Sequence, residues 1–218
     1  MIQACLFDLD GVIVDTAKYH FQAWRKLAND LGFDFTPEQN EMLKGVSRIE
    51  SLKLILDIGQ VSKTEQEILE LAEKKNEDYL HFVNQMDQKE ILPGVESFIQ
   101  DLRANHIKIV LGSASKNAVK ILEKIKLIGL FDAIIDGTKT TRSKPDPQVF
   151  LMGAKAVEIP NEFCVVFEDA PKGVQAAQAA NMYAVGVGEA QVLSHADQVI
   201  EGFDGLDYGF IKSISVKA

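Results

Sequence analysis

The sequence is poor in cysteine, tryptophan and proline, with two, one and six respectively in 218 residues. Two cysteines cannot build a disulfide framework, and Cys5 and Cys164 both lie in apolar, strand-like runs where small buried thiols are expected. No apolar run approaches the ~20 residues a membrane span needs. No basic segment precedes an apolar one near residue 1 either, so a soluble, cytoplasmic protein is the expectation. Positive charge is also short: 23 Lys and Arg stand against 32 Asp and Glu, for a net charge of −9. A nucleic acid or an anionic membrane surface does not suit such a chain. An anionic small molecule must then be met by local cations or by a metal.

What is present is the composition of a globular protein, 46% hydrophobic and 25% charged. The length exceeds the rough ~150-residue prior for one domain, which predicts one domain with a large insertion or two unequal ones. Residues 2–7 are short, apolar and without helical period, and read as a buried strand. Beyond residue 16 the pattern turns helical for about seventy residues. Tyr19, Ala23, Trp24, Leu27 and Leu31 recur at helical spacing before Gly32, a second helix is expected over 48–57, and a third over about 63–86.

After the run Leu92-Pro93-Gly94, helices alternate with short apolar strands. The expected order is a helix over 95–103, the strand IKIVLGS, a helix over 116–126, DAIID, a helix over 147–157, CVVFED, a helix over 171–181, and YAVGVG. Strands this apolar, alternating with helices, predict a parallel sheet covered on both faces. The fold class is therefore α/β: a Rossmann-like core of residues 1–15 and 88–218, with an all-helical cap of residues 16–87 inserted after the first strand.

In such a sheet ligands bind at the carboxyl ends of the strands. Reading those ends gives Asp8 and Asp10 in FDLDGVIVDT, Ser113 and Ser115 in GSAS, Lys144 in RSKPDP, and Glu168 with Asp169 in FEDAP. Each has a plainer explanation: Asp169 or Ser115 as a helix cap, Lys144 as a solvated loop lysine. Together they converge on one edge. Like-charged carboxylates at ~5 Å and an effective dielectric of ~20 repel by roughly 3 kcal/mol per pair, so positive charge must sit among them. Magnesium suits a site of carboxylate oxygens and phosphate, with Lys144 and the Ser113 hydroxyl facing the remaining phosphate oxygens. A calcium loop of the EF-hand type also opens D-x-D-G, but it needs glycine at its sixth position, where Ile13 stands, and a preceding helix where a strand is expected.

FDLDGVIVDT, GSAS, SKPDP and FEDAPKGVQAA, in this order and with an early helical insert, resemble the four motifs of the haloacid dehalogenase superfamily of aspartate-based phosphotransferases. The resemblance implies that Asp8 is the nucleophile and Asp10 the general acid and base. It implies that Ser113 and Lys144 stabilise phosphate, and that Asp8, Asp10, Glu168 and Asp169 form a Mg2+ site. The insert, with His20, Trp24 and LKGVSRIES, together with SASKN in the core, is similar to the β-phosphoglucomutase-like family. That similarity places Thr16 and His20 near the hinge, Trp24, Lys44, Gly45, Val46, Arg48, Ser51 and Lys75 around the substrate from the cap, and Ala114, Ser115, Lys116 and Asn117 from the core.

Plainer readings stand beside these. Trp24 at helical spacing suits core packing, and Arg48 near a helix start is no natural partner of the helix dipole. The implied activity interconverts β-glucose 1-phosphate and glucose 6-phosphate through an aspartyl-phosphate and a bisphosphate. The alternatives are a sugar-phosphate phosphatase built from the same parts and an idle phosphosugar sensor. The expected partner is a small sugar phosphate, and a monomer is expected.

Overall fold

The structure, a computed structural model, describes residues 1–215; residues 216–218, the end of the expected core, lie outside the described residues. Strand β1 (Ala4–Phe7) is buried at every position. It is followed by four helices, α1 (Ala17–Asp30), α2 (Pro37–Glu41), α3 (Arg48–Ile58) and α4 (Glu65–Gln85). The chain then runs α5 (Val95–Ala104), β2 (Lys108–Gly112), α6 (Ala118–Lys124), β3 (Ala133–Ile135) and α7 (Gln148–Ala156). It continues with β4 (Cys164–Glu168), α8 (Pro171–Ala179), β5 (Tyr183–Val187), β6 (Gln198–Ile200) and α9 (Tyr208–Ser213).

The six strands form one parallel sheet in the order β3-β2-β1-β4-β5-β6. The switch in strand order falls at β1, where the chain goes outward to β2 on one side and β4 lies on the other. A switch of this kind opens a crevice at the carboxyl edge. Phe7 is paired with both Leu111 and Phe167, so the residues that follow each partner emerge side by side at that edge. Phe7 and Phe167 stack at 4.8 Å, and Phe98 and Phe203 pack on them. This aromatic group anchors the strand ends from below.

The helices between β1 and α5 have a separate apolar cluster that includes Trp24, Leu27, Phe35, Leu52 and Ile55. The carboxyl half of α4 instead joins the sheet's cluster through Tyr79, Val83 and Met86. Thr64 and Glu67 form a capping box that starts α4, and Thr36 with Gln39 does the same for α2. Three of these elements, α2, β6 and α9, are absent from the sequence-based expectation. Asp169 and Ser115, whose plainer reading is as helix caps, do not stand at the cap positions: α8 begins after Ala170, and α6 after Asn117.

Candidate active site

The carboxyl edge gathers its charged groups around one buried lysine. Lys144 Nζ donates to Asp8 Oδ1 at 2.7 Å and to Glu168 Oε1 at 2.6 Å, and the other oxygen of Glu168 accepts the Ala170 N–H at 2.9 Å. Burial works against the ammonium of Lys144, but the two carboxylates outweigh it and raise its pKa. Burial raises Glu168, with Lys144 opposing it. Asp169 is pushed well above the usual carboxylate range by burial and then by Glu168 and Asp8. One oxygen each from Asp8, Glu168 and Asp169 lies within 4.8 Å of the others.

Two glycines make this density of acids achievable. A Cβ on Gly11, whose φ is +81°, would fall 2.2 Å from an Asp169 oxygen. One on Gly173 would fall 1.7 Å from Glu168 Oε1. Neither position accepts a side chain without displacing an acid.

The Asp10 carboxylate is not one of the three grouped acids. That carboxylate turns away to accept a hydrogen bond from the Thr16 hydroxyl, itself buried. Burial, and next the charge of Asp8, raises Asp10 from 3.8 to about 6. A carboxyl with such a value is suited to exchange protons near neutral pH. Ser113 is buried, and its Oγ accepts the Ser115 N–H at 3.0 Å, which shapes the loop carrying Ala114 to Asn117.

Above the edge lies a cleft of about 1250 Å³. Every residue expected at the site lines it except Thr16 and Glu168, which are buried behind Asp10 and Lys144. From the helical side, Lys44 reaches Asp169 at 3.8 Å and Glu41 at 2.8 Å. Lys75 is 2% exposed, donates to His20 Nδ1 at 2.9 Å, and lies 4.1 Å from the centre of the Trp24 ring. Trp24 thus serves both readings: it packs in the helical cluster and also lines the cleft. In its charged form Lys75 can only donate, and Nδ1 then accepts with the imidazole proton on Nε2. Burial, and then the charges of Lys75 and Arg48, depress His20 well below its ordinary value. Burial and Arg48 depress Lys75 in turn.

Three side chains at the cleft escaped the sequence reading. Asn76 accepts from Asn117 across the cleft at 2.9 Å, Glu73 accepts from Arg48 at 3.1 Å, and Tyr79 stacks on His20 at 4.1 Å. All three sit on α4. For Asn76 and Tyr79 the signal in the sequence was the spacing 72, 75, 76, 79, which places them with Ala72 and Lys75 on the helix face that packs inward; Glu73 lies off that face and had no such signal.

The sequence profile of the haloacid dehalogenase-like hydrolase family matches residues 5–187. The chain belongs to this family. It is 42% identical over 201 residues to a β-phosphoglucomutase of Bacillus subtilis strain 168, covering 91% of this chain and 89% of that one. A crystal structure of β-phosphoglucomutase from Clostridium difficile superposes with a TM-score of 0.94 at 44% identity, covering 97% and 96%. A fructose-1-phosphate phosphatase of Escherichia coli strain K12 is 31% identical, over 84% of this chain and 94% of its own. Family members thus include both mutases and phosphatases, and the cleft must be read for the difference.

Proposed function

We propose that this chain interconverts β-D-glucose 1-phosphate and glucose 6-phosphate, through an aspartyl-phosphate on Asp8 and a β-glucose 1,6-bisphosphate. The observation that carries the proposal is one cleft with cations at both ends. Lys144 stands beside Asp8 on the sheet edge, while Arg48 and Lys75 line the opposite, helical side. A phosphatase needs only the first end; a ligand phosphorylated at two positions uses both. The likeness to the Bacillus subtilis and Clostridium difficile enzymes supports the same reading.

In this proposal the Asp8 carboxylate attacks phosphorus in line, forming its O–P bond as the bond to the sugar oxygen breaks. Asp10 gives its proton to the departing oxygen, and takes one back when the second hydroxyl attacks the aspartyl-phosphate. Thr16 holds Asp10 until then. Lys144 and Ser113 receive equatorial phosphoryl oxygens. His20, Trp24, Lys44, Gly45, Val46, Ser51, Lys75 and Ala114 to Asn117 surround the sugar. The division into a core of residues 1–15 and 88–218 and a cap of residues 16–87 belongs to the same proposal. A cap closed over the sugar excludes water, the rival acceptor.

The acid group fits a hard cation. Its donors are carboxylate oxygens, and burial, then Glu168 and Asp8, raise Asp169, so added positive charge would be favoured there. Asp8, Glu168 and Asp169 would hold Mg2+, which when bound offsets charge on the phosphoryl oxygens.

Incubation with β-glucose 1-phosphate, Mg2+ and a trace of the bisphosphate tests the proposal. Glucose 6-phosphate formed without free phosphate is expected. Stoichiometric phosphate release would identify a phosphatase, and neither product would overturn both.

A further inference from the structure

The helical end of the cleft contains an anion site that one of the protein's own carboxylates fills. Arg48 Nη1 donates to Glu73 Oε2 at 3.1 Å, and Asn76 Nδ2 donates to Glu73 Oε1 at 3.2 Å. Two donors from two helices therefore meet on the two oxygens of one carboxylate. The Asn76 amide is held in that orientation from the other side, because its Oδ1 accepts from Asn117 Nδ2 at 2.9 Å. Asn117 stands at the start of α6, on the sheet side of the cleft.

The pair is lopsided. The Arg48 side chain is 18% exposed and that of Glu73 is 64% exposed. The guanidinium is fixed and partly dehydrated, whereas the carboxylate is in solvent and free to swing out. The charges near it are also unbalanced. Lys75 is buried and bonded to a neutral imidazole rather than to an acid, and its charge and that of Arg48 oppose each other, so Glu73 is bonded to only one of the two cations. An exposed pair of this kind is worth only about 0.2–1 kcal/mol, too little to resist a doubly charged phosphate.

We propose that Glu73 is a specificity-determining residue: its carboxylate stands in for the far phosphate of a doubly phosphorylated sugar and competes with it for Arg48 and Asn76. The inference rests on the proposed sugar-phosphate reading and deepens it. When the phosphate arrives, Glu73 leaves, and both donors turn to the ligand at once. When the ligand departs, Glu73 returns, so the Arg48 guanidinium is never left unpaired at the cleft wall. Glu73 thus weakens the hold on the bisphosphate and aids its release. Glu73 is a positioning residue, acting through Arg48 and touching no reacting atom.

The test is binding without turnover, in the full chain carrying Asp8→Asn, with Mg2+ present. The dissociation constant of β-glucose 1,6-bisphosphate is measured by calorimetry with and without Glu73→Gln, each in the Arg48 and the Arg48→Ala backgrounds. Gln keeps the shape and an acceptor for Asn76, and removes only the charge. With Arg48 present, Glu73→Gln should tighten binding by about three- to fivefold, the range an exposed ion pair allows. With Arg48→Ala the effect should vanish. No change, weaker binding, or the same tightening without Arg48 would overturn the inference and leave the proposed function standing. Failure of every variant to bind the bisphosphate would overturn both.

Discussion

Lys144 and Lys75 are equally hidden, 4% and 2% exposed, yet they are held in opposite ways. The sheet edge gives Lys144 two carboxylates at bonding distance, and its charge is favoured. The helical side gives Lys75 an imidazole, a tryptophan face and a nearby guanidinium, and its charge is disfavoured. The first region is a set of paired charges fixed by strand register. The second sets two cations on helices, Arg48 paired with the exposed Glu73 and Lys75 bonded to an imidazole. At the sheet edge the lysine is satisfied before a ligand comes, and it is the acids that remain short of positive charge. At the helical end the ligand must satisfy the positive charge, which is where recognition of an anion resides.

Asp8→Asn should lower kcat by on the order of 10⁴ or more while leaving circular dichroism and Tm close to wild type. Residual turnover near wild type would remove the nucleophile from the sheet edge. Lys144→Met should cost about 3–5 kcal/mol in chemical denaturation, because it leaves the buried acids Asp8 and Glu168 without their cation. Lys75→Met should not destabilise to that degree; a change within about 1 kcal/mol is expected, since a buried ammonium with no acid partner is replaced by an apolar chain of similar volume. Equal losses from the two lysines would erase the distinction drawn between the regions.

Asp10 provides a pH test of the same edge. Its pKa rises from 3.8 to about 6 on folding, so the folded state binds the proton more firmly. The stability this contributes is full below about pH 4 and is lost as pH rises through about 6. Asp10→Asn escapes that loss. In the presence of a chelator the variant should be more stable than wild type by about 2–3 kcal/mol near neutral pH, with a smaller gap near pH 5. A gap that stays constant between those pH values would contradict the account of Asp10.

The sheet and its edge were legible because parallel strands are short apolar runs and their ends carry the acids. Ile2 to Phe7 with Asp8, and the run CVVF before Glu168, needed no tertiary information beyond strand order. β6 was not legible: it is three half-buried residues, Gln198–Ile200, whose strand character comes from pairing with β5. The five residues of α2 are mostly polar and depend on a capping box for their start. Glu73 reads as the outward face of an ordinary amphipathic helix, and Asn76 as a polar residue on its inward face. Only the packing of α4 against α3 and the loop before α6 makes them part of a cleft. The direction of the Asp10 carboxylate likewise depended on Thr16, six residues on across a turn.

Whether Asp8 carries the phosphoryl group is read by quenching the protein in acid during turnover of β-glucose 1,6-bisphosphate with Mg2+ and mapping bound phosphate by mass spectrometry. The account predicts a labile acyl phosphate on the peptide containing Asp8, absent from the Asp8→Asn variant. Phosphate found on another residue, or none found while glucose 6-phosphate accumulates, would contradict it.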